Sequence, residues 1–386
     1  MEAKPVAGAV SPARHTAKRV ATFAPVRKTP VIDCLFPLGR SLPGALGDLS
    51  WHGVPCHPSP SALGKPAPVR HLSAEDEAGM TKLMVIGVVA AILAAAWAFW
   101  PAKRLSPEAL LARYQVPMTA PVGPLRVYHL GHSLVGRDMP AMLAQMAGHG
   151  YHSQLGWGAS LMQHWQGDVP GFAEENATAA FRAAGEALDS GGYDAVVLTE
   201  MVELRDAIRY HDSPRALANW AKRARRGNAK AAVYLYETWH RTDDPAGWEA
   251  RIAADGPALW QGELLARAMA DAEVGVIHVI PGGPVLAAVA AAIEAGQVPG
   301  LASRDDLFAA TDGKVDTIHL NDTGHYIIAL THYAVLYHRS PVGMPHDLTR
   351  ADGRPMAPMS QDTALALQEV VWQVVSGYPF SGIARE

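Results

Sequence analysis

The sequence predicts an α/β protein built as three layers, a mainly parallel sheet with helices on both faces. Three observations carry this. Short apolar runs, most of them rich in Val, Ile or Tyr, recur at 125–130, 195–199, 231–236 and 274–280. Segments with helical periodicity lie between them. Strands that alternate with helices pair in parallel, because each crossover helix returns the chain to the same end of the sheet.

The elements read in order. The strand at 125–130 ends in Gly131-His132-Ser133-Leu134, a turn into a helix at 139–147 that Asp138 and Pro140 start well. Helices are expected at 177–188, 214–224, 259–270 and 285–295, each between two strands or after the last. A further helix at 326–337 follows the loop that holds His319, and the last, at 363–375, is ended by Gly377. In such sheets, sites form beyond the carboxyl ends of the strands. Ser133 falls there.

The first hundred residues differ. Residues 1–79 hold 11 of the 29 prolines and both cysteines, Cys34 and Cys56, with nine Lys/Arg against six Asp/Glu. Weakly patterned, Pro-rich sequence buries too little apolar area to offset its ordering entropy, so 1–79 is expected to be a disordered extension. Met80-Thr81-Lys82 also reads as a natural start, which would make 1–79 a start-site artefact. Residues 83–100 are 18 consecutive uncharged, apolar residues with Trp97 and Trp100 at one end. At 1.5 Å per residue they span about 27 Å, close to a bilayer core. The segment 80–104 is therefore expected to be a transmembrane helix or a cleavable signal, with residues 83–100 in contact with the membrane. The domain at 105–386 is then extracytoplasmic, anchored or exported.

Residues 105–386 carry 21 basic and 31 acidic side chains, a net −10. That balance excludes a nucleic-acid partner, which needs a basic face. The domain has no cysteine, and 17 histidines in the chain form no His-Glu-x-x-His motif. No metal and no cofactor is expected.

Two distant stretches fit one catalytic device. A serine hydroxyl is a weak nucleophile until a base lies within hydrogen-bond reach and an anion orients that base. Ser133 is the candidate nucleophile, His319 the base and Asp316, three residues earlier, its orienting acid. Trp157, His164, Trp165, Trp239, His240 and Arg241 fall near expected strand ends, where an indole face suits a sugar ring. Glu237 could line the same region or be buried there.

These blocks resemble those of the SGNH hydrolases, the GDSL-type esterases. Asp316-Thr317-Ile318-His319-Leu320-Asn321 with Gly324 is similar to their Asp-x-x-His block, and Gly131-His132-Ser133-Leu134 to their first block, with His132 in place of the usual acid. The resemblance covers roughly 125–340 and implies an SGNH/flavodoxin-like fold. It also implies an oxyanion hole from the Ser133 amide and a glycine amide, Gly158 first and Gly156 second. The third implied donor is missing: after the strand at 195–199 the sequence reads Thr199-Glu200-Met201, not Gly-x-Asn. The chain is therefore a divergent member on this reading. Glu200, Trp157 and Trp239 are expected to meet substrate. The function expected is a serine ester hydrolase acting on a small-molecule or glycan ester, by analogy an extracytoplasmic carbohydrate ester. The alternatives are an O-acyltransferase on a glycan and a catalytically silent carbohydrate-binding protein.

Overall fold

The structure is a computed structural model that describes residues 82–89 and 103–384. The expected extension at 1–79 lies outside the described residues. So does most of the expected membrane segment, of which residues 82–89 form an exposed helix, α1. Among the described residues, no helix is long and apolar enough to cross a membrane.

From residue 103 the chain alternates as the sequence predicts. The run is α2 (Pro107–Ala112), β1 (Arg126–His132), α3 (Asp138–Ala147), β2 (Gly150–Gly156), α4 (Leu161–Gln166), α5 (Phe172–Glu175), α6 (Ala184–Asp189) and β3 (Ala195–Thr199). Then come α7 (Leu204–Tyr210), α8 (Ser213–Gly227), β4 (Ala232–Glu237), α9 (Trp248–Asp255), α10 (Ala266–Ala268), β5 (Ile277–Pro281) and α11 (Gly282–Glu294). A hairpin of β6 (Phe308–Thr311) and β7 (Lys314–Leu320) leads to α12 (Asp322–Tyr337) and α13 (Gln361–Gly377).

β1 to β5 form one sheet in the order β2-β1-β3-β4-β5, all four pairings parallel. Every residue of β3 and β5 is buried. Such strands read as continuous apolar runs because helices cover both faces. Side chains alternate between two cores. Tyr234 and Tyr236 of β4 face a core shared with α3, α11, α12 and α13. Val233 and Leu235 face the other core, shared with α4, α6, α7 and α8. This strand order reverses direction between β1 and its neighbours β2 and β3, and the open crevice at such a switch point is where α/β sheets bind ligands.

Three elements depart from the expectations. β2 is absent from the expected strands, because Tyr-His-Ser-Gln interrupts its apolar character; as an edge strand it is half-exposed at its start and buried only over its last four residues. The helix expected at 177–188 is confined to α6, since Phe181 bridges to Ser153 beside β2. The helix expected at 259–270 is π-helical over Gly256–Leu265 before it closes into α10. The β6–β7 turn is Asp312-Gly313, both in the left-handed region at φ 52° and 76°, as a two-residue hairpin turn requires.

The cores contain many neutral imidazoles. Burial lowers the pKa of His132, His149, His164, His278 and His332 to about 4, and that of His129 well below its ordinary value. Burial also raises Glu200 and Glu237 to about 7, which acts in the opposite direction. Between about pH 6.5 and 4 the unfolded chain binds more protons at the six histidines than the folded one, so stability is lost as pH falls through that window. The two glutamates bind protons preferentially in the folded state and offset part of this. The urea midpoint is expected to fall between pH 7 and pH 5. A midpoint that holds or rises on acidification would show that the histidines do not set acid stability.

Candidate functional site: a Ser-His-Asp line at the end of the first strand

Six of the seven residues of β1 are buried, and the strand ends where β2 and β3 flank it. A Cβ at Gly131 would lie 2.7 Å from the Cβ of Thr199 on β3 and 2.9 Å from Val135. Only glycine fits that approach. The Gly131 carbonyl accepts from His164 Nε2 at 2.8 Å, and His164 Nδ1 is fixed by Gln154 Nε2 at 2.9 Å. The Oε1 of Gln154 in turn accepts from the Ala184 amide. His132 donates from Nε2 to the Glu200 carbonyl at 2.8 Å and accepts the Leu134 amide at Nδ1. Two uncharged imidazoles thus fix the backbone on either side of the turn that presents Ser133.

His319 reaches Ser133 from the hairpin. Its Nε2 lies 3.1 Å from Ser133 Oγ, and its Nδ1 lies 3.0 Å from Asp316 Oδ2. The hairpin is irregular where this happens. Phe308 pairs with Leu320 and Ala310 with Val315, so Ala309 alone faces residues 316–319. On a regular strand, residues three apart point to opposite faces. The bulge removes that restriction, as bulges beside active sites do. Asp316 Oδ1 accepts the amides of Ile318 and His319 at 2.8 and 2.9 Å, which folds the bulge around its own carboxylate. Partial burial would raise the Asp316 pKa, but the His319 amide and ring and the Ile318 amide outweigh it and hold it down to about 2. Asp316 is therefore ionised at any ordinary pH, and its second oxygen fixes His319 with Nδ1 protonated and Nε2 free to accept. Both side chains are more than a third exposed, so the pair adds little to stability. Its effect is on the tautomer and orientation of the ring.

Asn321 anchors the same loop from below. Its side chain caps α12 at the Gly324 amide and donates to the carbonyls of Asp306 and Phe308. Trp239, expected to meet substrate, is buried and donates from Nε1 to the Ile318 carbonyl at 2.9 Å. That is a correction: the indole braces the back of the His319 loop. Glu200, also expected at substrate, is wholly buried, with Oε1 accepting the Leu161 and Met201 amides. This too corrects the reading; the carboxyl faces the protein and not the crevice. Glu237 lies inside as well, bonded to Tyr378, and His240 pairs with the buried Asp255.

Trp157 is exposed, with Nε1 bonded to Glu175. It lines a polar cleft of about 710 Å³ with Arg137, Glu174, Glu175 and Asp352. A second cleft of about 410 Å³ follows His319 directly, lined by Asn321, Asp322, His325 and Arg350. An apolar cavity of about 630 Å³, between α2 and the π-helical segment, includes no member of the Ser133 line.

The two candidate glycines differ in circumstance. A Cβ at Gly156 would meet Val169 at 2.4 Å, so that glycine is required by packing. Gly158 has φ 55° and nothing within 4 Å of a Cβ, and among the described residues its amide and that of Ser133 have no hydrogen-bond partner. Also among the described residues, no three His, Cys, Asp or Glu side chains form a metal-binding group. His132, His164 and Gln154 are the residues whose positioning role the sequence did not show, since His132 and His164 each bond a backbone carbonyl, and Gln154 the His164 ring, that only the fold brings near.

No family model and no curated protein matches the sequence. Among solved structures, the chain is similar to a DUF4886 family protein from Bacteroides uniformis at 17% identity, over 68% of this chain and 98% of that one, with a TM-score of 0.44. It is similar to a "putative SGNH hydrolase" from Slackia heliotrinireducens at 24% identity, over 54% and 97%, with a TM-score of 0.34. A "putative GDSL-like lipase" from Parabacteroides merdae gives 11% identity, 57% and 99% coverage and a TM-score of 0.36.

The close approach at the end of β1 is open to test. Gly131→Ala is expected to lower stability by about 1–3 kcal/mol through overpacking against Thr199. Gly150→Ala, where a Cβ meets nothing within 4 Å, serves as the control and should change it by less than about 0.5 kcal/mol. Urea unfolding of both variants checks this; equal midpoints would mean that the β1–β3 contact relaxes freely.

Proposed function

We propose that the protein is a serine ester hydrolase that works through an acyl-enzyme. One observation carries the reading: the unbroken line from Ser133 Oγ through His319 to Asp316, at 3.1 and 3.0 Å, at the switch point of a parallel sheet. Ser133 Oγ attacks the ester carbonyl as its proton passes to His319 Nε2. Asp316, ionised, stabilises the imidazolium. The tetrahedral intermediate collapses, and His319 returns the proton to the departing alkoxide. Water then attacks the acyl-serine with His319 again taking the proton, which releases the acid and restores the hydroxyl.

The oxyanion rests on the Ser133 and Gly158 amides in this proposal, both without another partner. Each donor of such a hole is worth about 2.7–4 kcal/mol of transition-state stabilisation. The resemblance of the Ser133 and Asp316–His319 blocks to those of SGNH hydrolases supports the same chemistry. The substrate class we favour is an acyl ester on a carbohydrate. Its support is the open indole face of Trp157 beside Glu174, Glu175 and Asp352 in a polar cleft next to the segments that carry Ser133. A sugar hydroxyl in place of water at the acyl-enzyme would make the same site an O-acyltransferase, and product analysis with an added glycan acceptor separates the two.

We further propose that residues 83–100 place the domain on the outer side of a membrane. The support is the uncharged run itself, of which the described start is helical and exposed.

Ser133→Ala is expected to abolish hydrolysis of an aryl acetate and labelling by a fluorophosphonate, with less than about 1 kcal/mol change in stability. His319→Ala should be nearly as damaging, Asp316→Asn less so. The double variant Ser133→Ala/His319→Ala should be little worse than either single one, because the residues act as a unit. Multiplied losses would sink the shared mechanism, and an unlabelled wild-type protein would favour a silent binding protein.

A shortened chain that begins at Lys103 is expected to leave the membrane fraction and keep its activity on a soluble ester. If it aggregates or loses activity, the segment before it belongs to the fold.

A further inference from the structure

Glu200 is a wholly buried acid that the proposed reaction does not use. It stands just past β3, one strand from Ser133, and touches both halves of the site. Its backbone carbonyl accepts from His132 Nε2 at 2.8 Å, and His132 directly precedes Ser133. Its Oε1 accepts the Leu161 amide at 3.1 Å and the Met201 amide at 2.8 Å. Leu161 opens α4, three residues after Gly158. The other N-terminal requirements of α4 are met inside the helix: Ser160 Oγ accepts the Gln163 amide and Gln163 Oε1 accepts the Ser160 amide. Glu200 ties the start of that capped turn to the end of β3, while His164 ties the same helix to β1 and β2.

We propose that Glu200 is a positioning residue that sets the separation between the Ser133 turn and the Gly158 loop. The catalytic consequence rests on the esterase reading above; the structural part rests on packing alone. A solvent-exposed cap would hold the Leu161 amide equally well in isolation. A buried carboxyl on a residue whose own carbonyl holds His132 does more, because the Leu161 segment cannot shift away from the end of β3 without leaving an amide unpaired, and an unpaired buried amide costs about 1–3 kcal/mol.

The charge state fits the place. An anion near a forming oxyanion would oppose it, but burial raises the Glu200 pKa to about 7 against the pull of the Ser213 hydroxyl and the Met201 and Leu161 amides. Oε2 and the Ser213 hydroxyl are both buried without a hydrogen-bond partner. In the neutral form, Oε2 carries the hydrogen. Oε1 remains the acceptor for both amides. The neutral acid therefore keeps the geometry that a glutamine at this position would reproduce.

The test compares Glu200→Gln, Glu200→Asp and Glu200→Ala in the full chain by two measurements. One is hydrogen–deuterium exchange of the amides at 157–163; the other is turnover of an aryl acetate. Glu200→Gln should match wild type in exchange and keep kcat within about threefold. Glu200→Ala should speed exchange at 157–163 and lower kcat by about 10–100-fold, the scale of a misplacement near 1 Å, with KM little changed. Glu200→Asp, which keeps the carboxyl but shortens its reach, should show the same two changes to a lesser degree and decides the matter if the alanine variant does not fold. Unchanged exchange and unchanged kcat in Glu200→Asp, or a glutamine variant as damaged as alanine, would overturn the proposal. If wild-type protein neither hydrolyses the ester nor is labelled at Ser133, the esterase reading fails while the exchange data still decide whether Glu200 holds the loop.

Discussion

β1 and β3 come so close at their carboxyl ends that only a hydrogen fits at position 131, and the placement of Ser133 follows from that contact. The Thr199 side chain occupies the space a Cβ would need. The backbone therefore leaves the strand at a fixed point, and the carbonyl of that residue is held by a buried imidazole. A nucleophile on a flexible loop would spend orientational entropy at every turnover; one fixed by sheet packing has already lost it on folding. The sheet order makes the position useful, because β2 and β3 leave the end of β1 open at the switch point.

His319, the base of the proposed reaction, arrives by another route. His319 belongs to a two-stranded hairpin outside the main sheet, and its ring meets Ser133 only because the hairpin bulges over residues 316–319. One carboxylate organises that bulge. Asp316 accepts two amides of its own loop with one oxygen and orients the imidazole with the other. Trp239 and Asn321 then fix the loop to β4 and to α12. The site is thus assembled from a rigid sheet end and a self-capped loop, with the Asp316–His319 pair kept accessible to water.

The ground beneath the site is polar and dry. His132, His164, Gln154 and Glu200 are all buried; His132, His164 and Glu200 each hold a backbone group of the segments around Ser133 or Gly158, and Gln154 fixes the His164 ring. Burying such groups is costly unless they are bonded. Their bonds here join β1, β2, β3 and α4, so the cost is offset by a unique arrangement of the segments that must face the reacting atoms. The same choice leaves the fold sensitive to acid, since neutral imidazoles in the core take protons more readily once exposed.

The alternation of buried strands with helices was legible in the sequence because strands covered on both faces read as plain apolar runs. Ser133, His319 and Asp316 were legible as well: a glycine before a serine at a strand end and an acid three residues before a histidine are local patterns. β2 was not, because an edge strand half open to solvent carries polar residues that resemble a turn. Trp239 and Glu200 looked like substrate contacts because sequence position near a strand end does not say which way a side chain points. Only the tertiary structure turned Trp239 onto the Ile318 carbonyl and Glu200 onto the Leu161 amide. Local sequence determined which chemical groups this protein possesses and where its strands end. The packing of β1 against β3, and of the hairpin against the sheet, decided which of those groups meet, because distances between residues 186 apart are set by burial and hydrogen-bond satisfaction across the whole fold.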